Sequence, residues 1–97
     1  MKVDIELKED VLTLTPDGRL DSASADFFTE AFEENRTEAV TTLVADLEKV
    51  DYISSKGLRV LVKARKDMNG SLIIKNANAS VLEVLRLSGL SKVFQVE

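Results

Sequence analysis

The sequence predicts an α/β fold: a mixed four- or five-stranded sheet with helices packed mainly on one face, in the order β-β-α-β-α-β-α-β. Two observations carry this. Two short strand-like runs, KVDIELK at 2–8 and VLTLT at 11–15, are separated only by Glu9-Asp10. Downstream, segments with apolar residues at three- and four-residue spacing alternate with short β-rich runs. Strand–helix–strand repeats imply parallel neighbours joined by right-handed crossovers, whereas a tight turn between two strands implies a hairpin, so the sheet is mixed.

The elements follow in order. Val3, Ile5 and Leu7 alternate with charges, the pattern of a half-buried strand. Residues 11–15 form its hairpin partner, and Pro16-Asp17-Gly18 is expected to end it, because proline cannot sit inside a central strand. Asp21 or Ser22 is a natural cap for a helix from about 23 to 35, with Ala25, Phe28, Ala31 and Phe32 as its apolar stripe and Glu30, Glu33 and Glu34 in water. TTLVADL at 41–47 suits a central strand. Residues 48–53 read as a loop crossing the sheet edge, with Val50 and Ile53 buried beneath it.

A second helix is expected over about 55–68, with Leu58, Leu61, Val62 and Met68 on its core face and Asn69-Gly70 ending it in left-handed backbone. SLIIK at 71–75 is a short buried strand. Ala77 to Leu87 is a third helix, capped by Ser80 or Asn78, with Val81, Leu82 and Leu85 inward and Gly89 closing it. KVFQV at 92–96 alternates again and gives a last strand. There are no internal repeats, linkers or low-complexity segments, and 97 residues suffice for one domain spanning 1–97.

Composition narrows function. A hydrophobic fraction of 44% and a charged fraction of 31% are ordinary for a globular chain. The net charge of −4 gives no global attraction for nucleic acid or anionic lipid, and Lys63, Arg65 and Lys66 read as a solvated helix face. No window approaches the roughly 18 apolar residues of a membrane span, and the acidic N-terminal segment does not read as a signal peptide, so direct membrane insertion is not expected and the protein reads as cytoplasmic. With no cysteine and no histidine, thiol nucleophiles, Ser-His-Asp triads, histidine phosphocarriers and the usual zinc sites are excluded together. No cofactor is implied. The clustered carboxylates Asp46, Glu48 and Asp51, with Lys56 as the nearby base, show no nucleophile–base arrangement or second ligand pair, so the chain does not read as an enzyme.

One junction stands out. In VDYISSKGLRVLVKARK, at 50–66, two serines, a lysine and a glycine separate an apolar run from a helical pattern. The carboxyl end of a parallel strand is where open α/β sheets carry sites, and a helix start offers free N–H groups and a positive dipole end. A phosphate on Ser55 would sit beside that charge. Gly57 lowers helix propensity by about 1 kcal/mol relative to Ala, which points to close approach by a partner backbone, a phosphate or the adjacent loop. Lys56 opposes the helix dipole unless an anion, a phosphate or Asp21, stands near it. Taken alone, these residues favour a helix cap over a phosphorylation site.

The chain also resembles the STAS domain family, which includes anti-sigma factor antagonists and cytoplasmic domains of sulfate transporters. GRLD at 18–21 with SASADFF, VADLEKVDYISSKGL at 44–58, and SLIIKNANASVLEVLRLSGLSKVFQV at 71–96 look like the family's motifs in the right order across essentially the whole chain. The resemblance implies a SpoIIAA-like anti-sigma factor antagonist. The serine two places before the glycine, here Ser55, would be phosphorylated by an anti-sigma factor serine kinase. The unphosphorylated form would bind that kinase, and a serine phosphatase would restore it. Asp21, Ser54, Ser55, Lys56, Gly57 and Arg59 would form the partner-binding face. Ser54 stands where many relatives carry an acid, and Lys56 where they often carry a small residue. The alternative is an accessory subunit of a membrane transport system that binds a transporter ATPase and needs no phosphorylation.

Overall fold

The computed structural model describes residues 1–97. Its elements are β1 (Lys2–Lys8), β2 (Val11–Leu20), α1 (Ala25–Asn35), β3 (Thr42–Asp46), β4 (Val50–Ile53), α2 (Ser55–Asp67), β5 (Leu72–Lys75), α3 (Ala79–Leu87), a 3-10 turn (Leu90–Lys92) and β6 (Gln95–Val96). The sheet has six strands rather than four or five, in the order β1-β2-β3-β5-β6, with β4 on β2. Only the β1–β2 hairpin is antiparallel; every other pairing is parallel.

The extra strand traces to β2. Pro16 and Gly18 do not end it. They mark where it changes partner: β2 pairs with β3 through residues 11–14 and with β4 through residues 18–20. Pro16 lies in the gap between those two pairings, where a missing N–H on that side breaks no ladder bond. Gly18, at φ +108°, adopts the backbone that glycine favours, and the pairing register shifts between Gly18 and Arg19. The strand therefore bends onward instead of stopping. VDYI, expected as a loop, becomes β4 because this prolonged β2 supplies its partner; Val50 and Ile53 are buried as expected.

Burial alternates along residues 11–16 of β2 and along β5, whereas on β3 Leu43, Val44 and Ala45 are all buried. Leu12, Leu14, Leu43, Ala45, Leu72 and Ile74 are buried in a core cluster of 20 residues, while Val11, Thr13, Thr15 and Ile73 on the other face are half-buried. The helices thus lie over one face. From α1 come Ala25, Phe28, Ala31 and Phe32; from α2, Leu61 and Ala64; from α3, Val81 and Leu85. Phe28 and Phe32 meet Val60 and Ala64 along the α1–α2 groove. Two inward assignments are corrected: Val62 is 38% exposed and Leu82 is 40% exposed. On α2 the buried face instead runs through Gly57, Leu61 and Ala64, and the small Gly57 and Ala64 let the helix approach closely. Near the C-terminus, only Gln95 and Val96 are strand, because Leu90–Lys92 coils first into a 3-10 turn. Asn69 (φ +54°), Gly70 (φ +90°) and Gly89 (φ +79°) end the helices as the sequence predicts. No helix is long and apolar enough to cross a membrane.

Candidate functional site

The strand–helix junction is built from three backbones. The register pairs Arg19 with Tyr52 and Leu20 with Ile53, and the Ser54 N–H donates to the Leu20 carbonyl at 3.0 Å. Asp21 and Ser54 therefore emerge side by side from adjacent parallel strands. The helix starts immediately: Ser54 is the N-cap of α2, in extended backbone, and its hydroxyl oxygen accepts the Gly57 N–H at 3.2 Å. Ser55 is the first helical residue and is exposed, and its hydroxyl takes part in no hydrogen bond within the protein.

Gly57 is buried under this junction. A Cβ there would meet the Leu20 carbonyl oxygen at 2.3 Å and Ile53 Cγ1 at 2.9 Å. The close approach suggested by the sequence is thus intramolecular: glycine lets α2 begin directly against the end of β2. The buried Gly57 sets the height of the serines above the sheet rather than offering a surface of its own.

Lys56 does find an anion, but it is Asp26 and not Asp21. Its ammonium lies 3.3 Å from Asp26 Oδ1, tying the start of α2 to the start of α1. Asp21 is occupied locally. Its Oδ1 accepts from the Ala23 N–H at 3.0 Å and the Ser24 N–H at 3.2 Å, and its Oδ2 faces Arg19 Nε at 3.3 Å. The carboxylate thus organises the turn at 21–24, and α1 starts at Ala25 behind Ser24, later than the cap at Asp21 or Ser22 would place it. Desolvation pushes the Asp21 pKa up, but hydrogen bonds from Ala23, Ser24 and Arg19 outweigh it, so the net value falls below the ordinary 3.8. Arg19 in turn stacks on Tyr52, 4.1 Å from guanidinium carbon to ring centroid. Arg59, exposed on α2, is four residues after Ser55 and so shares its helix face.

Arg19, Tyr52 and Asp26 belong to this surface, and sequence reasoning did not single them out. Arg19 had a signal, since it stands two residues before Asp21 on a strand. Tyr52 becomes visible only once β4 is known to be a strand, and Asp26 only once the two helix starts are placed together. Of the carboxylates weighed for catalysis, Asp46 holds the β3–β4 turn and ties it to the end of β5: its Oδ1 accepts from the Glu48 N–H at 3.0 Å and from Asn76 Nδ2 at 3.2 Å.

These features define a class: a small α/β domain whose helices cover one sheet face and whose polar surface converges on a single strand–helix junction. The chain belongs to the STAS domain family, whose family model matches residues 2–97. It is 27% identical over 103 residues to the anti-sigma-B factor antagonist of Listeria monocytogenes, covering 100% of this chain and 90% of that protein. It is 29% identical over 99 residues to BtrV of Bordetella bronchiseptica, covering 99% of this chain and 85% of that one. The fold matches an anti-sigma factor antagonist from Mycobacterium paratuberculosis with a TM-score of 0.87 at 21% identity, over 98% of this chain and 83% of that one. It also matches unphosphorylated SpoIIAA with a TM-score of 0.77 at 19% identity, over 99% and 88% of the two chains.

Proposed function

We propose that this protein is an anti-sigma factor antagonist switched at Ser55. Unphosphorylated, it binds an anti-sigma factor serine kinase in the cytoplasm through the surface around Asp21, Ser54, Ser55, Lys56 and Arg59, with Gly57 beneath. The kinase transfers a phosphoryl group to the Ser55 hydroxyl, the complex dissociates, and a serine phosphatase returns the protein to its binding form. The names of the relatives support the class. The observation that carries the switch is the division of labour between the two serines: Ser54 caps α2, which leaves the Ser55 hydroxyl exposed and unengaged.

The chemistry is the kinase's; this chain supplies an acceptor. A phosphoserine adds about −1.5 to −2 charges, and at the first position of a helix the free N–H groups and dipole tolerate it, so the fold survives. At an interface the same doubly charged group must be stripped of water against the partner, so binding does not survive.

The test is recovery of the protein from its native host, with intact mass and phosphosite mapping. A fraction about 80 Da heavier, mapped to Ser55, with a kinase-type partner held only by the unmodified pool, is the expected result. Absence of phosphate under every growth condition, with a transporter ATPase as the main partner, would overturn this reading in favour of a transport accessory subunit.

A further inference from the structure

We propose that β1 is a self-association edge, through which two copies of this chain join their sheets antiparallel about a two-fold axis at Glu6. β1 pairs with β2 on one side only. None of the turn, loop or capping backbone hydrogen bonds involves residues 2–8. Because Glu9-Asp10 closes a two-residue hairpin with Lys8 opposite Val11, the outward N–H and C=O groups are those of Val3, Ile5 and Leu7. The strand carries neither a proline nor a bulge, two common devices for blunting a free edge.

Two of its apolar side chains are left uncovered as well. Ile5 pairs with Leu14 and Leu7 with Leu12, so all four share the core face of the sheet. Leu12 and Leu14 are fully buried, yet Ile5 is 48% exposed and Leu7 54% exposed. The sequence reading of a half-buried strand holds for Val3 alone among its three apolar residues.

Charge complementarity points to a second copy as the occupant, and charge together with apolar cover selects the register. Centred on Glu6, two copies place Ile5 opposite the partner's Leu7 and Asp4 opposite the partner's Lys8, each twice, with Glu6 facing its twin. Both exposed apolar residues are covered, and opposite charges meet. Centring on Ile5 would instead set Lys2 against the partner's Lys8 and Asp4 against the partner's Glu6, four like-charge pairs. Centring on Asp4 would also bring opposite charges together, Lys2 against the partner's Glu6, but it would set exposed Ile5 against the half-buried Val3 and Leu7 against Met1, outside the strand, so it covers the exposed pair less well. In the Glu6 register the pairing uses residues 4–8, which lie beside residues 11–15 of β2. From Thr15 to Leu20 is about 16 Å of strand, so both Ser55 junctions stay open in the dimer.

Sedimentation equilibrium from about 1 μM to about 1 mM tests this. A reversible dimer is expected. Lys8→Asp should raise its Kd about tenfold, as two opposite-charge pairs become like-charge pairs. Asp4→Lys should do the same, and an equimolar mixture of the two variants should restore dimerisation as a heterodimer. Lys8 makes no ion pair within the chain, so K8D should keep the wild-type melting curve; Asp4 meets Lys2 and Lys49 at 3.5 Å each, so circular dichroism must show D4K folded. If D4K does not fold, Leu7→Lys takes its place and should abolish the dimer. A monomer over the whole range overturns the proposal. So does a dimer that K8D leaves unchanged, or one that K8D strengthens, the result expected of the Ile5-centred register.

Discussion

At the residue scale, the two adjacent serines do different work, and stability measurements separate them. Ser54 accepts the Gly57 N–H, so Ser54→Ala removes a helix cap and should cost about 1 kcal/mol, or some 4–8 °C in Tm for a domain of this size. Ser55 makes no such bond, so Ser55→Ala should leave Tm within about 1 °C of wild type while removing the proposed acceptor. Equal losses from both variants would mean that the two share the cap, and the case for a free Ser55 would fail. Gly57 behaves differently again. Alanine is the better helix former, yet its Cβ would fall 2.3 Å from the Leu20 carbonyl, a backbone atom that cannot rotate away. Gly57→Ala should therefore destabilise by about 1–3 kcal/mol net, read by urea denaturation, and any gain in stability would contradict the packing described.

At the scale of elements, the fold depends on contacts that no local window contains. β4 is the clearest case. Four residues, Val50–Ile53, with two exposed in the middle, carry neither alternation nor length, and only the continuation of β2 past Pro16 makes them a strand. Pro16 and Gly18 carry the local signature of a stop, but the sheet uses them to change partner. Helix faces are legible to within one residue: three- and four-residue spacing locates α2 and α3, but hydrophobicity favours Val62 on α2 over the face that Gly57 and Ala64 pack, and adds Leu82 to the Val81 and Leu85 that α3 buries. The junction was legible in its motif residues and not in its ion pairs, since Lys56–Asp26 spans thirty residues of chain. A second long-range tie is testable. Asn78 caps α3 by accepting the Val81 N–H at 2.8 Å and donates to the Val50 carbonyl at 3.1 Å, so one side chain holds the helix to β4. Asn78→Ala should lose about 1–3 kcal/mol, whereas Asn78→Asp keeps the cap, loses the donor and should lose less. Amide exchange should then accelerate in α3 and β4 more than in β1. A uniform acceleration would place the effect elsewhere.

At the scale of the whole molecule, charge is set by groups that do not titrate near neutral pH. The sequence has no histidine and no cysteine, so no side chain has an ordinary pKa in the neutral range. Asp21 and Glu83 move further away from it. Hydrogen bonds hold Asp21 below 3.8 against desolvation, and the Arg86 guanidinium holds Glu83 below 4.5. In the unfolded chain these carboxyls return to ordinary values and bind protons first as the pH falls. Stability must then drop with decreasing pH once those ordinary values are approached, and stay level above them. Arg86, whose pKa the Glu83 carboxylate raises further still, keeps its charge throughout that range. The melting temperature should accordingly be flat across neutral pH and decline only below about pH 5. In Asp21→Asn the difference from wild type should be greatest at neutral pH and close as the acid limb is descended; a constant difference at every pH would show that the carboxylate charge is not what holds the 21–24 turn. The same reasoning bears on the switch. A docking face whose charge is fixed across the neutral range cannot be released by small changes in pH. A phosphate at Ser55 can change that charge there, and, with a second pKa near 6, it is the one added group that titrates in that range.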